Sequence, residues 1–375
     1  MKINDFKLEV YFSQYEFTAP YLLAQSDCES MSVKELFALE PGSEEGYLDQ
    51  WLGYSETWGD PQLRGIIAGL YKTMEVEDVL TFHGAQEALF GYMNVVLDPG
   101  DHMIAMYPNY QSAYEVANSV ADCSFSKWFI RDDGENWTVD FDQLESLIRP
   151  ETKLIAINSP NNPTGYTFTN EEIGRLCDIC RKYDLYLFSD EVYKGLELEG
   201  EKRDWIADHY EKCLSLGVMS KSYGLAGLRI GWLVGKDREL LDKINKFKNY
   251  MSICNSAPSE YLAKIALKHS DRLLDRSKEI IRSNMALVNA FFERHSNLFE
   301  QKKITCGPVA FHKLLVDMPV DEFCQLAVDK KGVLLLPAGI YDFDGSYFRM
   351  GYGRKELPES LGKFEEFLIQ GGFVK

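Results

Sequence analysis

Residues 220–232 read SKSYGLAGLRIGW, a glycine-rich loop in which Lys221 and Arg229 are the only charged side chains. A lysine amine can join a carbonyl cofactor through a Schiff base, and an arginine grips a phosphate in a fixed fork. The pair therefore predicts a site for a phosphorylated carbonyl cofactor. On this stretch alone, a basic surface loop between two strands explains the residues equally well, so the surrounding chain has to supply the context.

The pattern around this loop is that of an α/β protein. From about residue 79, short apolar runs alternate with amphipathic segments, which predicts a parallel sheet covered by helices. The runs occupy residues 79–82, 103–106, 154–157, 185–188 and 214–218. Ligands of such sheets bind beyond the carboxyl ends of the strands, so the residues that follow the runs belong to one candidate site.

Several residues after these runs have two interpretations each. Ala85 and Gln86 open a helix whose free N–H groups can hold a phosphate, although small residues alone do not establish such a site. Tyr110 either sets its ring against a flat cofactor or packs in a turn. Asn162 stands in a rigid Asn-Pro-Thr-Gly turn, which either presents its side chain accurately to a ligand or is only a turn. Asp190 ends the fourth run, where a buried carboxylate needs a cationic partner or caps the next helix.

Taken together, three motifs resemble the signature of the class I and II aminotransferases, which are pyridoxal-phosphate enzymes of fold type I. They are NPTG at residues 162–165, SDEVY at residues 189–193, and Lys221 with Arg229. The resemblance extends from about Tyr54 to Arg349. It implies an α/β fold with a large cofactor-binding domain, residues 41–268, containing a mostly parallel mixed sheet between helices. A smaller α+β domain would combine residues 1–40 and 269–375.

The resemblance also implies a role for each candidate site residue. Lys221 would form the Schiff base and then carry the proton between the substrate α-carbon and the cofactor. Asp190 would keep the pyridine nitrogen protonated, so that the ring can accept the electrons of the carbanion. Tyr54 would reach the phosphate of the partner subunit. The other expected cofactor contacts are Arg229, Ala85 and Gln86 at the phosphate, Tyr193 and Asn162 at the phenolic oxygen, and Tyr110 on the ring.

Two positions depart from the family pattern. Three residues before the lysine, where the family often has a serine or threonine on the phosphate, this chain has Val218. Residues 25–28, QSDC, lack the glycine that many members place near the substrate carboxylate. A further expectation from the resemblance is that the peptide bonds before Pro108 and Pro163 are cis.

The C-terminal third predicts the smaller domain and the substrate clamp. Residues 273–292 have helical spacing, and residues 310–316, 333–336 and 347–350 predict strands of a smaller sheet, joined by the N-terminal arm. Arg349 stands where the family carries the arginine that binds the substrate α-carboxylate in a bidentate pair. Without the resemblance it would be taken for a surface-strand arginine. Arg354 is the second candidate for this role.

Composition limits the partners and the location. The 375 residues are 45% hydrophobic, enough for roughly two domains, and carry a net charge of −18. This charge argues against nucleic acid and anionic membrane partners. No apolar stretch has the length of a signal core or a membrane span, so a cytoplasmic location is expected. The eight cysteines lack metal-binding spacing, and Cys177 and Cys180 fit a buried helix face better than a metal or redox pair.

These observations predict a homodimeric aminotransferase that exchanges an amino group between an L-amino acid and a 2-oxo acid through pyridoxal phosphate. A carbon–sulfur lyase of the same fold, eliminating a β or γ substituent, is the alternative, because the same cofactor groups serve both reactions. A cofactor-binding sensor without catalysis is a third interpretation. It is disfavoured because Lys221 is intact and the chain has no basic patch for nucleic acid.

Overall fold

The fold is built on two main β-sheets with helices packed around them. The computed structural model describes residues 3–120 and 122–374. The strands are β1 (Tyr21–Leu22), β2 (Val79–Phe82), β3 (His102–Tyr107), β4 (Ser124–Phe129), β5 (Arg131–Asp132), β6 (Trp137–Thr138), β7 (Thr152–Asn158), β8 (Tyr186–Asp190), β9 (Cys213–Val218), β10 (Gly231–Val234), β11 (Phe299–Glu300), β12 (Val309–Leu314), β13 (Val333–Leu334), β14 (Leu336–Pro337) and β15 (Tyr347–Gly351). The helices are α1 (Lys7–Tyr15), α2 (Val33–Phe37), α3 (Ser43–Leu48), α4 (Pro61–Ala68), α5 (Ala85–Val96), α6 (Ser112–Val120), α7 (Phe141–Leu147), α8 (Asn170–Lys182), α9 (Arg238–Lys248), α10 (Ala257–Lys268), α11 (Ser270–Arg294), α12 (Val320–Lys331) and α13 (Leu357–Gln370).

The larger sheet has seven strands in the order β2-β10-β9-β8-β7-β3-β4. Its pairs from β9 to β4 are parallel, whereas β10 is antiparallel to both β9 and β2. Successive residues of β7 alternate between the two faces of the sheet. Leu154 and Ala156 join one apolar core, and Ile155 and Ile157 join the other. Both faces are therefore buried, as expected of a parallel sheet between helices.

All five apolar runs of the sequence form strands of this sheet, but β4 and β10 were not predicted. Strand β10 has four residues and begins at Gly231, directly after the lysine loop, so its apolar run is too short to stand out. Strand β4 lies at the sheet edge and is only partly buried, which weakens its apolar signal. The order of strands around Lys221 therefore came from the structure.

The smaller sheet has the order β11-β12-β15-β14, and its pairs are antiparallel. The prediction of a single strand at residues 333–336 is wrong, because this segment contributes to two separate strands. Strand β13 pairs in parallel with β1 of the N-terminal arm, whereas β14 pairs with β15. The arm is thus tied to the C-terminal part of the chain, as predicted. The expected long helix is α11, with 25 residues.

Helix α1 was not predicted, since the N-terminal segment was expected only to form an arm that joins the smaller sheet. Leu8 and Phe12, four residues apart, give the helix a buried face. Within the described ranges, no helix is long and apolar enough to cross a membrane. The same residues contain no group of three histidine, cysteine or acidic side chains that could hold a metal ion.

Candidate active site

A cavity of about 310 Å³ lies at the carboxyl ends of β8 and β9, with α1 forming part of its wall. It collects residues from segments far apart in the sequence, as the strand-end argument predicted. Nine of the candidate residues line it, whereas Tyr54 and the second clamp candidate, Arg354, do not. The nine are Ala85, Gln86, Tyr110, Asn162, Asp190, Tyr193, Lys221, Arg229 and Arg349.

Lys221 follows β9 and presents its amine to this cavity. The Nζ atom donates a hydrogen bond of 2.9 Å to Ser26 Oγ, from the N-terminal arm. Burial lowers the pKa of Lys221, and the Arg349 charge lowers it further, while Asp27 opposes the shift. A lowered pKa leaves more of the amine neutral, which is the form that attacks a carbonyl carbon.

Asp190 ends β8 and is only 7% exposed. Burial raises the pKa of its carboxyl to about 7, although the Val192 N–H donates to Oδ1 at 3.2 Å. Within residues 3–120 and 122–374, Asp190 has no ion pair with a lysine or arginine. The site therefore needs a cation beside this carboxylate, and the protonated ring nitrogen of pyridoxal phosphate meets that need.

Arg229 and the start of α5 form a site for an anion. Arg229 has a left-handed φ of 53° and donates to Ser220 Oγ at 3.3 Å. Gly84, just before α5, leaves room for the guanidinium, because a Cβ atom there would lie 2.5 Å from Arg229 Nη2. Ala85 and Gln86 bring the free N–H groups of the helix N-terminus to the same cavity. Together these groups fit the cofactor phosphate.

The departure at Val218 has a structural counterpart nearby. Val218 lines the cavity with an aliphatic side chain, so it supplies no hydroxyl there. Ser220, which precedes the lysine directly, lines the same cavity and contacts Arg229. Its hydroxyl, beside Arg229, is a candidate to replace the missing phosphate contact.

Arg349 is fully buried in β15 and lines the cavity from the smaller sheet. Its guanidinium donates to Asn162 Oδ1 at 2.9 Å, to the Tyr341 hydroxyl at 2.6 Å and to the Ala24 carbonyl at 3.1 Å. These neutral acceptors orient the group without neutralising it, and no carboxylate of the described chain pairs with it. Its charge is thus available to a substrate carboxylate. Arg354, the second candidate, is already paired with Asp27 through contacts of 2.9 and 3.1 Å.

The neutral candidates are oriented by side chains around them. The Asn162 amide oxygen accepts from Arg349 and from the Tyr341 hydroxyl, which leaves its NH₂ group for a ligand. Tyr110 donates to Glu9 Oε1 at 3.0 Å, which fixes its ring in the cavity wall. Tyr193 is buried, and burial raises the pKa of its phenol, so it remains a hydrogen-bond donor. The peptide bonds before Pro108 and Pro163 are cis, as expected, and the bond before Pro160 is cis as well.

The structure adds site residues that the sequence analysis did not name. Glu9, Phe12 and Glu16 come from one face of α1 and its C-terminal end, and Ser26 and Asp27 come from the arm. The spacing of Leu8, Phe12 and Glu16, four residues apart each time, is the signal that could have revealed the helix. It was obscured by the aromatic residues on either side.

The sheet order and the cavity with its lysine define an enzyme of the pyridoxal-phosphate-dependent transferase fold. The chain belongs to the family of class I and II aminotransferases, whose family model matches residues 23–358. A pyridoxal-phosphate-dependent aminotransferase from Streptococcus suis is 30% identical, and the match covers 100% of both chains with a TM-score of 0.93. Family membership confirms the predicted fold, cofactor and aminotransferase class.

Curated relatives span most of the chain at lower identity. Capreomycidine synthase of Streptomyces vinaceus is 26% identical over 96% of this chain and 93% of the relative. An aspartate aminotransferase of Sulfurisphaera tokodaii is 24% identical over 84% of this chain and 82% of the relative. The relatives thus carry different names at similar identity, so they leave the amino acid substrate open.

Proposed function

We propose that Lys221 carries out the amino exchange between an L-amino acid and a 2-oxo acid, with Arg229 and Arg349 holding the two anionic groups. The observation that supports this is the charge pattern of one cavity. It is lined by a lysine and by two arginines, neither of which has a carboxylate partner among the described residues. A phosphate and an α-carboxylate would supply the two missing anions.

Pyridoxal phosphate bound here supplies the aldehyde for a Schiff base and a ring that accepts an electron pair. Lys221 would hold the cofactor through its amine and, as a neutral amine, would hold and move the α-proton of the substrate. Asp190 holds its charge against the ring nitrogen. Tyr193 and the Asn162 NH₂ group donate towards the phenolic oxygen, while Tyr110 and α1 limit the access of water.

Replacing Lys221 by alanine tests the role of the lysine. The variant should lose the absorbance of the Schiff base and all turnover, while still binding the cofactor through its phosphate. Lys246→Ala is the control, because Lys246 lies on the surface and pairs with Asp242. Full activity in the Lys221 variant would exclude the proposed role.

A carbon–sulfur lyase remains the second candidate, because the same residues would serve the elimination. The two reactions differ in where the electrons go after the α-proton is removed. Purified holoenzyme is incubated with a panel of amino acids and no oxo acid. An aminotransferase takes up one equivalent of amino groups and stops, whereas a lyase releases ammonia and a 2-oxo acid continuously.

We also propose a homodimer in which Tyr54 reaches the partner's phosphate site. Tyr54 is 84% exposed and belongs to an apolar surface with Trp51, Leu52 and Tyr250, which are at least 80% exposed. A bond of 3.0 Å from Ser55 Oγ to the Asn255 carbonyl ties the two segments of this surface together. A partner subunit would cover these side chains, as large exposed apolar patches require.

The domain division and the location are proposals of the same kind. The boundary at 268/269 is supported by the two sheets, because every strand of the larger sheet precedes it and every strand of the smaller sheet follows it. The boundary at 40/41 is supported by the pairing of β1 with β13, which assigns the N-terminal arm to the smaller domain. A cytoplasmic location is supported by the cysteines. All eight lie in the described chain without a disulfide, which suits a reducing compartment.

A further inference from the structure

One wall of the cavity is negatively charged, and the proposed roles do not use that charge. Glu9, Phe12 and Glu16 line the cavity and are spaced three and four residues apart, so they share one face of α1. Two carboxylates therefore stand on either side of a buried aromatic ring. Phe12 also contacts the substrate clamp, with the Arg349 guanidinium carbon 5.7 Å from the centre of its ring.

The carboxylates of the cavity differ in their partners. Asp27 is neutralised by Arg354, and Asp190 is assigned to the ring nitrogen. The Glu9 carboxylate accepts a hydrogen bond from the Tyr110 hydroxyl but forms no ion pair within the described ranges. The Glu16 carboxylate has neither a hydrogen bond nor an ion pair with any residue that the structure describes, although the Glu16 N–H donates to the Phe12 carbonyl. Two carboxylates of α1 and its C-terminal end thus line the cavity without a close ion pair, although the charges of Lys221 and Arg354 act on Glu16 and the charge of Glu9 acts on Lys221.

Gln25 provides an independent sign of a missing ligand. It is only 7% exposed and lines the same cavity. Its side-chain amide makes no hydrogen bond to any residue of the described chain. Its amide atoms are not sealed off by protein and stay open to hydrogen bonding in the cavity, so this position suits a ligand with polar hydrogens.

We propose that the amino acid substrate carries a cationic side chain, a guanidinium or an ammonium group, which Glu16 and Glu9 bind while Arg349 holds the α-carboxylate. This specificity rests on the proposed function of the cavity. Phe12 would pack against the aliphatic part of such a side chain, as the stems of arginine and lysine commonly do against apolar surface. The Gln25 amide oxygen would accept one of its hydrogens.

The electrostatics of the wall agree with this assignment. Burial raises the pKa of Glu16, and the negative charges of Asp27 and Glu9 raise it further, whereas the positive charges of Lys221 and Arg354 oppose the shift. A bound cation would relieve that repulsion, whereas a substrate with a side-chain carboxylate would increase it. Acidic amino acids are therefore expected to be poor substrates.

The test compares matched substrates with purified holoenzyme. L-Arginine is paired with L-citrulline, and L-lysine with L-norleucine, because the members of each pair are close in size and differ in charge. The charged member should have a kcat/KM roughly 10-fold to 100-fold higher, as a hydrogen bond to a charged group is worth about 1.5 to 3 kcal/mol. A higher kcat/KM for L-arginine than for L-lysine would indicate a guanidinium site, and the reverse would indicate an ammonium site. A neutral member that reacts as well as its charged counterpart would overturn the proposal.

Variants locate the effect on α1. Glu16→Gln should lower kcat/KM for the cationic substrate by roughly 10-fold and leave citrulline or norleucine unchanged. Glu9→Gln should act in the same direction and serves if the first variant folds poorly. Glu322→Gln is the control, since Glu322 lies exposed on α12. Equal losses for charged and neutral substrates would indicate a structural role and contradict the proposal.

A binding measurement separates this proposal from the proposed function. Calorimetry of the holoenzyme should give a lower Kd for L-arginine than for L-citrulline, and Glu16→Gln should remove the difference. If amino exchange proceeds with neutral or acidic donors and the binding shows no preference for cations, only the specificity is wrong. If no amino acid is converted at all, the proposed function itself fails.

Discussion

Arg349 shows how a buried charge is kept ready for a ligand. Its three hydrogen-bond partners are a carbonyl, an amide and a phenol, none of which carries a countercharge. Arg354 is close in sequence but is neutralised by Asp27. The two arginines are of the same type, and only one is available to a substrate carboxylate.

Replacing each arginine by alanine separates the two roles. Arg349→Ala should raise KM for every amino acid donor, because removing one partner of a buried charged pair costs about 2 to 5 kcal/mol. Arg354→Ala should raise KM much less. Thermal melting checks that both variants fold. If Arg354→Ala has the larger effect on KM, the carboxylate clamp has been assigned to the wrong arginine.

Asp190 should make the stability of the cofactor-free protein depend on pH. Its pKa is about 7 in the folded chain, above the usual value of 3.8, because burial disfavours the charged form. Its contribution to stability is therefore fully present below pH 3.8 and is lost as the pH rises through 7. As the pH rises from 3.8 to 7, the Tm of the cofactor-free wild type should therefore fall relative to that of Asp190→Asn.

The measurement is Tm of both proteins across this pH range, since subtracting the variant removes the contributions of other groups. Adding pyridoxal phosphate should abolish the difference, because the ring nitrogen supplies the missing cation. A constant difference at all pH values would contradict the proposed environment of Asp190.

At the scale of elements, the phosphate site depends on a close approach between β10 and the start of α5. A Cβ atom on Gly231 would lie 2.7 Å from the Gly84 carbonyl carbon and 2.9 Å from the Ala85 nitrogen. These are backbone atoms, so they cannot rotate away. The glycine thereby lets the helix N-terminus lie against the sheet beside Arg229.

Gly231→Ala should therefore destabilise the protein and weaken cofactor binding together. Overpacking of this kind costs about 1 to 3 kcal/mol. Gly174→Ala in α8 is the matched control, because nothing lies within 4 Å of its Cβ position, and it should be neutral or slightly stabilising. Denaturant unfolding and cofactor titration measure the two effects, and an unchanged cofactor affinity in the Gly231 variant would contradict the proposed packing.

At the scale of the whole molecule, the exposed apolar surface around Tyr54 contrasts with a net charge of −18. Charge of one sign keeps protein molecules apart, so association has to come from a specific apolar contact. The side chains of Trp51, Leu52 and Tyr250 are exposed enough to provide it.

Trp51→Glu should convert the proposed dimer to monomers in sedimentation experiments and reduce activity, since each site of such a dimer would lose Tyr54 of the partner subunit. Ile369→Glu is the control, because Ile369 is an exposed apolar side chain too, at 58%, but lies near the end of α13 and outside the surface around Tyr54. A dimer that survives the first change and dissociates with the second would move the interface to another face. Tyr54→Phe should leave the dimer intact and weaken cofactor binding.

The sequence alone determined the sheet class and grouped nine of the residues that line the cavity. The apolar runs before Asn162, Asp190 and Lys221 are local patterns, and the ends of parallel strands meet at one edge, so these residues could be grouped without coordinates. Glycine, proline and charge at fixed spacings carried the family resemblance. These features depend only on residues that are close together in the chain, so the sequence is sufficient to identify them.

Only the tertiary structure decided which charges were still available and which segment closes the cavity. The pairing of Arg354 with Asp27 joins positions 327 residues apart, and the contact between Tyr110 and Glu9 joins positions 101 apart. The division of residues 333–336 between two sheets depends on partners that the sequence does not specify locally. Helix α1 becomes a cavity wall because its apolar face packs against parts of the chain that are distant in sequence, such as Arg349 beside Phe12. A local pattern along the chain does not specify such long-range packing.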